Sequence, residues 1–288
     1  MYLSDFKNFI ESEKKYSKHT VSAYVNDLEE FNKFLNTNSV KLNEKLNYSF
    51  VRQWIVELSE NGLSTRSINR KISSLKSYFN FLIAINKLNV SPLKLHRNLK
   101  VEPKIIIPFN EREMDKVFEI FNNNSGKLDR DFLIIEILYS TGIRRDELIN
   151  LKFEDIYFEQ GLIKVLGKRN KERLVPVLPN LLSKIKKYSS NNSISSYLFK
   201  SKNGKKISPS TIYRIVKKYF RQISSKNKIS PHVLRHSFAT HMINNGADIN
   251  SVKEILGHSS LASTQIYTKI KVPKMLNDYM LNHPREKR

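Results

Sequence analysis

The sequence predicts a mainly α-helical protein of two domains, with a small antiparallel β-sheet in the second domain. Apolar residues recur at helical spacing through residues 1–98, whereas residues 99–109, which include two prolines, lack a helical period and have the character of an extended linker. Short strand-like runs separated by turn residues occur beyond that linker, in residues 110–288. A chain of 288 residues is long enough to bury a core in each domain.

Three apolar stripes predict a small helical bundle in the first domain. They are Val21, Tyr24, Leu28, Phe31 and Leu35, then Phe50, Val51, Trp54, Ile55 and Leu58, then Ile68, Ile72, Leu75, Phe79 and Leu82. The third helix turns Arg66 and Arg70 away from its stripe. The chain has 50 Lys+Arg against 27 Asp+Glu, which favours a nucleic-acid partner. We therefore predict that both arginines contact DNA phosphates, with an ordinary solvated face as the open alternative.

The second domain is predicted to be built around a buried helix, because residues 130–139 are apolar nearly all round. Thr141-Gly142 should end that helix, and Arg144 stands just before the start of the next. Strand-like runs then predict the sheet: 156–158, 162–166 and 173–177. A later helix that opens at Ser208-Pro209 carries Arg214 and Lys217 on a basic side, which suits it to lie along DNA.

Polar residues occur at helix ends in the stretch 230–267. Ser230 followed by Pro231 indicates a helix start, with the serine hydroxyl expected to cap a free amide. His232 and Arg235 then lie on one helical face. Gly246 should end this helix.

A second helix in this stretch is predicted between Asp248, a capping residue, and Gly257, a stop. His258 follows at once, and a third short helix opened at residue 259 or 260 should carry Tyr267. Free backbone amides and the helix dipole favour anions such as phosphate at helix starts. Taken singly, a histidine after a helix stop is usually a surface residue and a tyrosine on a short helix is usually core, so the hypothesis depends on their joint spacing.

The charge of the chain predicts a polyanionic partner. It has 50 Lys+Arg against 27 Asp+Glu, a formal charge of +23, and both sides of the linker are basic. Nucleic acid is favoured over a membrane, because no apolar run approaches the length of a spanning helix and the opening residues lack a signal-peptide pattern. The absence of cysteine excludes disulfides and thiolate metal sites and fits a cytoplasmic location.

Five ordered motifs resemble the tyrosine recombinases, and within them the Xer type. They are TGIRRDEL at 141–148, GKRNKERLVPV at 167–177, PHVLRHSFATH at 231–241, LGH at 256–258, and Tyr267. The segment YVNDLEEF at 24–31 is similar to the core-binding domain of that family. The resemblance implies a helical core-binding domain joined to an α+β catalytic domain, with the boundaries 1–98, 99–109 and 110–288.

The resemblance implies that Arg144 and Arg235 bind the non-bridging oxygens of a DNA phosphate, and two planar guanidinium groups suit that task. Tyr267 is implied as the nucleophile that forms a 3′-phosphotyrosine, an ester that stores the bond energy so that rejoining needs no ATP. No metal and no cofactor are expected.

The remaining roles are also implied by the resemblance. Lys168 would protonate the leaving 5′ oxygen, His232 would assist proton movement at the tyrosine, and His258 would donate to the phosphate. Glu147 would orient this set of residues through an arginine or a histidine, with a plain helix-start carboxylate as the alternative. Arg169 stands where the family usually has glycine, which puts in question how the hairpin tip contacts DNA. His236 and His241 are expected to be structural.

The resemblance further implies a DNA partner with an inverted-repeat core site and a homo- or hetero-tetramer with a related recombinase on two DNA sites. A septal DNA translocase is a possible activator, and the protein would be nucleoid-associated. Resolution of chromosome dimers at cell division is the favoured role, because no extra arm-binding domain is seen before residue 17. An integrase of a mobile element is the alternative within the family.

Two other classes of protein fit the sequence less well. A non-catalytic DNA-binding regulator would leave the joint presence of Arg, Lys, His, Arg, His and Tyr unexplained. A metal-dependent nuclease or transposase would need clustered carboxylates placed for two metals, and the sequence shows no such cluster.

The tail is predicted to form a helix over 274–281, with Leu276, Tyr279 and Met280 on one side. The resemblance implies that this helix docks into a neighbouring protomer. Packing on its own domain is the open alternative.

Overall fold

A computed structural model describes residues 2–39, 46–102, 106–122, 130–167, 171–192, 196–201, 203–257 and 271–286. The chain forms two compact units, residues 1–104 and 105–288, and the division falls within the predicted linker. The prediction of a mainly helical protein with a small antiparallel sheet is confirmed.

The first unit is a bundle of helices around one core. Its elements are α1 (Leu3–Asn8), a π-helical segment (Phe9–Glu13), α2 (Lys18–Thr37), α3 (Tyr48–Glu60) and α4 (Thr65–Ala84). Serine side chains begin two of these helices, since Ser17 accepts the amide of Thr20 and Ser64 that of Ser67. The predicted stripes supply the core, in which Phe31, Trp54 and Phe79 are almost fully buried.

A buried ionic cluster joins α2 to α4 through the carboxylate of Asp27, which is 2% exposed. Asp27 accepts both terminal nitrogens of Arg70, the hydroxyl of Ser74 at 2.7 Å and Lys71 Nζ at 3.3 Å. A buried carboxylate is stable only with such partners. Arg66 and Arg70, both predicted as phosphate ligands, are both exposed, but the guanidinium fork of Arg70 is bound to Asp27.

The second unit contains eight further described helices and a three-stranded sheet. Its elements are α5 (Glu111–Asn122), α6 (Arg130–Thr141), α7 (Arg145–Asn150), a 3₁₀ turn (Phe153–Asp155), β1 (Ile156–Tyr157), β2 (Leu162–Leu166), β3 (Glu172–Pro176), α8 (Pro179–Asn192), α9 (Pro209–Phe220), α10 (Pro231–Asn244), α11 (Ile249–Leu256) and α12 (Lys271–Asn282). The strands follow the order β1-β2-β3 and pair antiparallel, with Val165 opposite Arg173.

The central helix of this unit is α6, which is buried from Phe132 to Thr141 as its apolar sequence predicts. It packs against α10, so the end of α6 lies close to the helix that carries Arg235. Gly142 follows in a left-handed conformation, with φ of +61°, and turns the chain into α7. An alanine at that position would be strained and crowded.

The predicted hydroxyl cap of α10 is wrong. Ser230 precedes the helix, but its hydroxyl accepts no helical amide, is buried, and has no hydrogen-bond partner in the described part of the chain. Pro231 makes the start possible because its first-turn position needs no donor. Two signals at the ends of α11 are confirmed, since Asp248 accepts the amide of Asn250 at 3.3 Å and Gly257 ends the helix with φ of +65°.

The tail helix α12 packs on its own unit, against α10, α11 and β3. Tyr279 is fully buried and its hydroxyl donates to the Ser140 carbonyl at 2.9 Å, and His283 Nε2 donates to the same oxygen at 3.0 Å. The alternative of packing on its own domain is therefore the arrangement in this structure, and docking into a neighbouring protomer stays a prediction.

Deleting residues 274–288 should destabilise the catalytic unit, because the deletion removes Met275 and Tyr279 from the core. We expect the melting temperature to fall by at least about 10 °C, because loss of even one large buried side chain has an effect of that order. Leu281→Ala is the matched control, since that side chain is 61% exposed and should leave the melting temperature unchanged. An unchanged melting temperature in the deletion, with weaker cooperative filling of a full DNA site, would instead support docking on a neighbour.

Candidate active site

The turn from α6 into α7 positions Arg144. This residue is the N-cap of α7 with an extended backbone, φ −74° and ψ 151°. Glu147, three residues later, accepts the Arg144 amide at 2.7 Å and its Nη1 at 2.9 Å. The carboxylate therefore holds both the backbone and the guanidinium of Arg144, whose side chain remains about one-third exposed (32%).

Glu147 is held from the other side by Arg173 of β3. Arg173 is 5% exposed, and its two terminal nitrogens donate to the two carboxylate oxygens at 2.7 and 2.8 Å. Burial raises the pKa of Glu147, but the hydrogen bonds and charge of Arg173, together with those of Arg144, outweigh burial and lower the pKa to about 2. The carboxylate is therefore ionised throughout the physiological pH range.

The end of α11 brings three arginines together. Each of three consecutive carbonyl oxygens, those of residues 255–257, accepts from a different arginine: the first from Arg173 Nε at 2.8 Å, the second from Arg235 Nη2, and the third from Arg144 Nη2 at a long 3.5 Å. The last carbonyls of a helix lack partners within the helix and carry its negative dipole end, so they attract cations.

Of the two predicted phosphate ligands, Arg235 is more deeply buried than Arg144. It projects from α10, is 8% exposed, and also donates Nη1 to the Gly142 carbonyl. Burial, followed by the charges of Arg144 and Arg173, lowers its pKa to about 9, so it remains a cation at neutral pH. Against the single carboxylate of Glu147, three guanidinium groups leave this cluster with two positive charges in excess, which favours binding of an anion.

His232 lies one turn before Arg235 on α10 and is exposed. Partial burial of its ring lowers its pKa, and the charges of Arg145 and then Arg235 lower it further. The imidazole is therefore neutral at pH 7 and able to accept a proton.

Four predicted site residues, Lys168, Arg169, His258 and Tyr267, lie outside the described residues. The base of the hairpin that carries the first two is described, because the Gly167 amide donates to the Lys171 carbonyl at 2.8 Å. The structure thus brings together Arg144, Glu147 and Arg235, with His232 on the same helix as Arg235.

Arg173 is the site residue that the sequence motifs do not single out, because it stands within a predicted strand. The alternation of side chains along a strand does indicate that Arg173 points inward. Arg173 lies on the same face as Val175 and Val177, which are both buried. An arginine on the inward face of a strand needs a buried acceptor.

The histidines expected to be structural differ. His241 is buried and its Nδ1 is 2.8 Å from the hydroxyl of Tyr139, which fits a role in the core. His236 is exposed on α10.

The basic side of α9 is open to solvent. Arg214 is exposed, and Lys217 lies over the ring of Tyr213 at 5.8 Å. Beside them a cavity of about 400 Å³ is lined by Lys217, Arg221 and Lys226, among others. These positions are compatible with contact to phosphates.

Two further properties of the described residues were determined. Among them, no helix is both long and apolar enough to cross a membrane. In the same part of the chain, no three His, Cys, Asp or Glu side chains are grouped so that they could hold a metal ion.

Sequence comparison identifies relatives over the full length of the chain. The phage integrase family matches residues 108–272, and the phage integrase N-terminal SAM-like domain matches residues 3–86. Tyrosine recombinase XerC of Thermodesulfovibrio yellowstonii is 36% identical, over 99% of this chain and 97% of its own. XerC of Oceanobacillus iheyensis is 37% identical, over 99% and 96%.

Structure comparison finds the same fold in DNA complexes of more distant proteins. A post-cleavage complex of the XerH recombinase on a palindromic difH substrate has a TM-score of 0.72 at 20% identity and covers 99% of this chain and 82% of that one. A lambda integrase tetramer bound to a Holliday junction has a TM-score of 0.70 at 17% identity, covering 92% and 79%. Together with the XerC relatives and the family match, these findings show that the chain belongs to the phage integrase family of tyrosine recombinases, enzymes of site-specific DNA recombination.

Proposed function

We propose that this recombinase cuts and rejoins DNA through a 3′-phosphotyrosine formed by Tyr267. The observation that carries the proposal is the cluster of three arginines and one carboxylate, whose excess positive charge suits a phosphodiester. The oxygen of Tyr267 attacks phosphorus and the bond from phosphorus to the 5′ oxygen breaks. Lys168 gives that oxygen a proton. Attack by a 5′ hydroxyl on the ester reverses the step and releases the tyrosine.

Arg144 and Arg235 stabilise the negative charge that develops on the non-bridging oxygens. Preorganised donors do this well because they need no reorientation during the reaction, and the contacts to Glu147 and to the end of α11 supply such preorganisation. Neutral His232 takes the tyrosine proton, and His258 donates to the phosphate. No metal ion and no ATP take part.

For the biological role we propose resolution of chromosome dimers at cell division in the cytoplasm. Support comes from the identity of 36–37% to XerC recombinases over nearly the whole chain. By analogy with the XerH complex on a palindromic site and the lambda integrase tetramer, the protein would bind an inverted-repeat core site and act as a tetramer on two sites. A related recombinase would share the tetramer, and a septal DNA translocase would activate it. Integration of a mobile element is the competing role.

The reaction is tested by covalent capture. DNA sites bound by the protein in its own genome are first mapped, and nicked duplexes of the recovered site are then incubated with the full chain in EDTA. We expect protein trapped on a 3′ end, and Tyr267→Phe should abolish trapping while duplex binding stays unchanged, because only the nucleophilic oxygen is lost.

Tyr157→Phe is the matched control, because this half-buried tyrosine of β1 has no assigned role and should trap DNA like the unaltered protein. Cleavage that leaves no trapped protein and disappears on chelation would favour a metal-dependent nuclease, because such an enzyme uses water as the nucleophile. Binding without any trapping would favour a non-catalytic regulator.

A further inference from the structure

We propose that Arg173 is a positioning residue for recombination: it holds Glu147 and the end of α11 in place, and through them both phosphate-binding arginines. The inference rests on the proposed function. It also links strands β2 and β3, between which Lys168 lies in the sequence, to the elements that carry Arg144 and Arg235.

The hydrogen bonds of Arg173 connect three separate elements. From β3 its two terminal nitrogens reach both oxygens of Glu147 in α7, and its Nε reaches the Ile255 carbonyl in α11. A planar guanidinium has donors in these three directions at once, whereas a lysine has a single nitrogen and is unable to reproduce the fork.

The groups that Arg173 contacts either hold one of the two proposed phosphate ligands or are next to a group that does. Glu147 accepts from the amide and Nη1 of Arg144, and the carbonyl after that of Ile255 accepts from Arg235. Movement of Arg173 would therefore displace the supports of both arginines together.

Packing at the end of α11 supports the same role. A Cβ built on Gly257 would lie 2.9 Å from Arg173 Cδ and 3.1 Å from its Nε, so the arginine fills the space beside this glycine. Gly257 is also the residue immediately before His258. The side chain of Arg173 therefore packs directly against the end of α11 at Gly257.

Loss of Arg173 has a predictable local consequence. Among the charged contacts described for Glu147, Arg144 alone would remain, in a buried setting. The Ile255 carbonyl would lose its arginine donor as well. Both changes favour a shift of Arg144 and of the α11 end from the geometry that binds phosphate.

The test compares Arg173→Met, Glu147→Leu and the double variant in the full chain. Single-turnover cleavage of the mapped nicked duplex and gel-shift binding to the same duplex are measured well below the melting temperature of every variant. We expect each single variant to bind normally but to cleave about 100-fold more slowly, as for a misplacement on the order of 1 Å. The double variant should be no slower than the worse single variant, because the two residues act as a unit.

Melting temperatures distinguish a positioning role of Arg173 from a role that only stabilises the fold. Each single variant leaves a buried charge without its main partner and should melt roughly 10 °C lower, whereas the double variant should recover most of that loss. Cleavage should stay slow in the double variant despite the recovered stability. Lys164→Met, which removes a cation from the adjacent strand at a half-exposed position, is the control and should cleave at the unaltered rate.

The inference is overturned if folded Arg173→Met cleaves at the unaltered rate, or if the losses of the two single variants multiply. Either result leaves the proposed function intact, provided that the unaltered protein cleaves. If the unaltered protein traps no DNA, the proposed function itself fails.

Discussion

Arg235→Lys is expected to slow DNA cleavage by roughly 100- to 1000-fold while duplex binding and the fold persist. Lysine keeps the positive charge, but it has one nitrogen where arginine has a fork. In the structure that fork contacts the carbonyls of Gly142 and Leu256, which fixes the plane of the guanidinium. A mobile ammonium would have to be ordered during the reaction, so stabilisation of the developing phosphate charge is lost.

Single-turnover cleavage of a nicked duplex measures this effect, with binding followed by gel shift. Arg112→Lys provides the control, because Arg112 is exposed on α5 and the same chemical change there should leave the rate unaltered. A binding loss as large as the cleavage loss would contradict the prediction, since it would mean that Arg235 holds DNA rather than stabilising the transition state.

Gly142→Ala should destabilise the catalytic unit by roughly 4 kcal/mol, from overpacking and left-handed backbone strain together. A Cβ at this position would lie 2.4 Å from the ring of Phe238 and 2.9 Å from Leu256. Phe238 is completely buried, so its ring has no free space into which to move. Urea unfolding of the full chain measures the change.

Gly204→Ala isolates the contribution of the backbone. Gly204 has a φ of +71°, close to the +61° of Gly142, but nothing lies within 4 Å of its added Cβ. We expect a loss of about 1 kcal/mol there, which is the strain alone. Equal losses in the two variants would show that Phe238 yields to the added methyl. Cleavage by Gly142→Ala should also fall, because the Gly142 carbonyl holds Arg235.

Local patterns were sufficient for the elements that present the site. The uniform apolar run of α6, the Thr141-Gly142 stop, the Asp248 cap and the Gly257 stop all act within a few residues, so the sequence predicts them directly. The Ser230 cap failed because the hydroxyl is turned into a buried position while the helix still begins at proline.

The tail and Arg70 show where local patterns are insufficient. The amphipathic pattern of the tail helix predicts an apolar side but does not identify the surface that covers it. In this structure, residues of the same unit bury Tyr279. Arg70 faces away from the stripe of its helix, yet a carboxylate on another helix, Asp27, binds its fork. Neither partner is near in sequence, so periodicity alone does not identify it.

The sequence by itself determined the helical fold class, the small sheet, the basic character and the placement of Arg144 and Arg235 at helix starts, since each follows from short-range periodicity, capping and composition. Only the tertiary structure decided how those arginines are held. Arg173, Glu147 and the three carbonyls of residues 255–257 come from β3, α7 and α11, separated by up to about a hundred residues along the chain. They meet because a buried guanidinium needs acceptors and the last carbonyls of a buried helix end need donors, and the fold brings the two together.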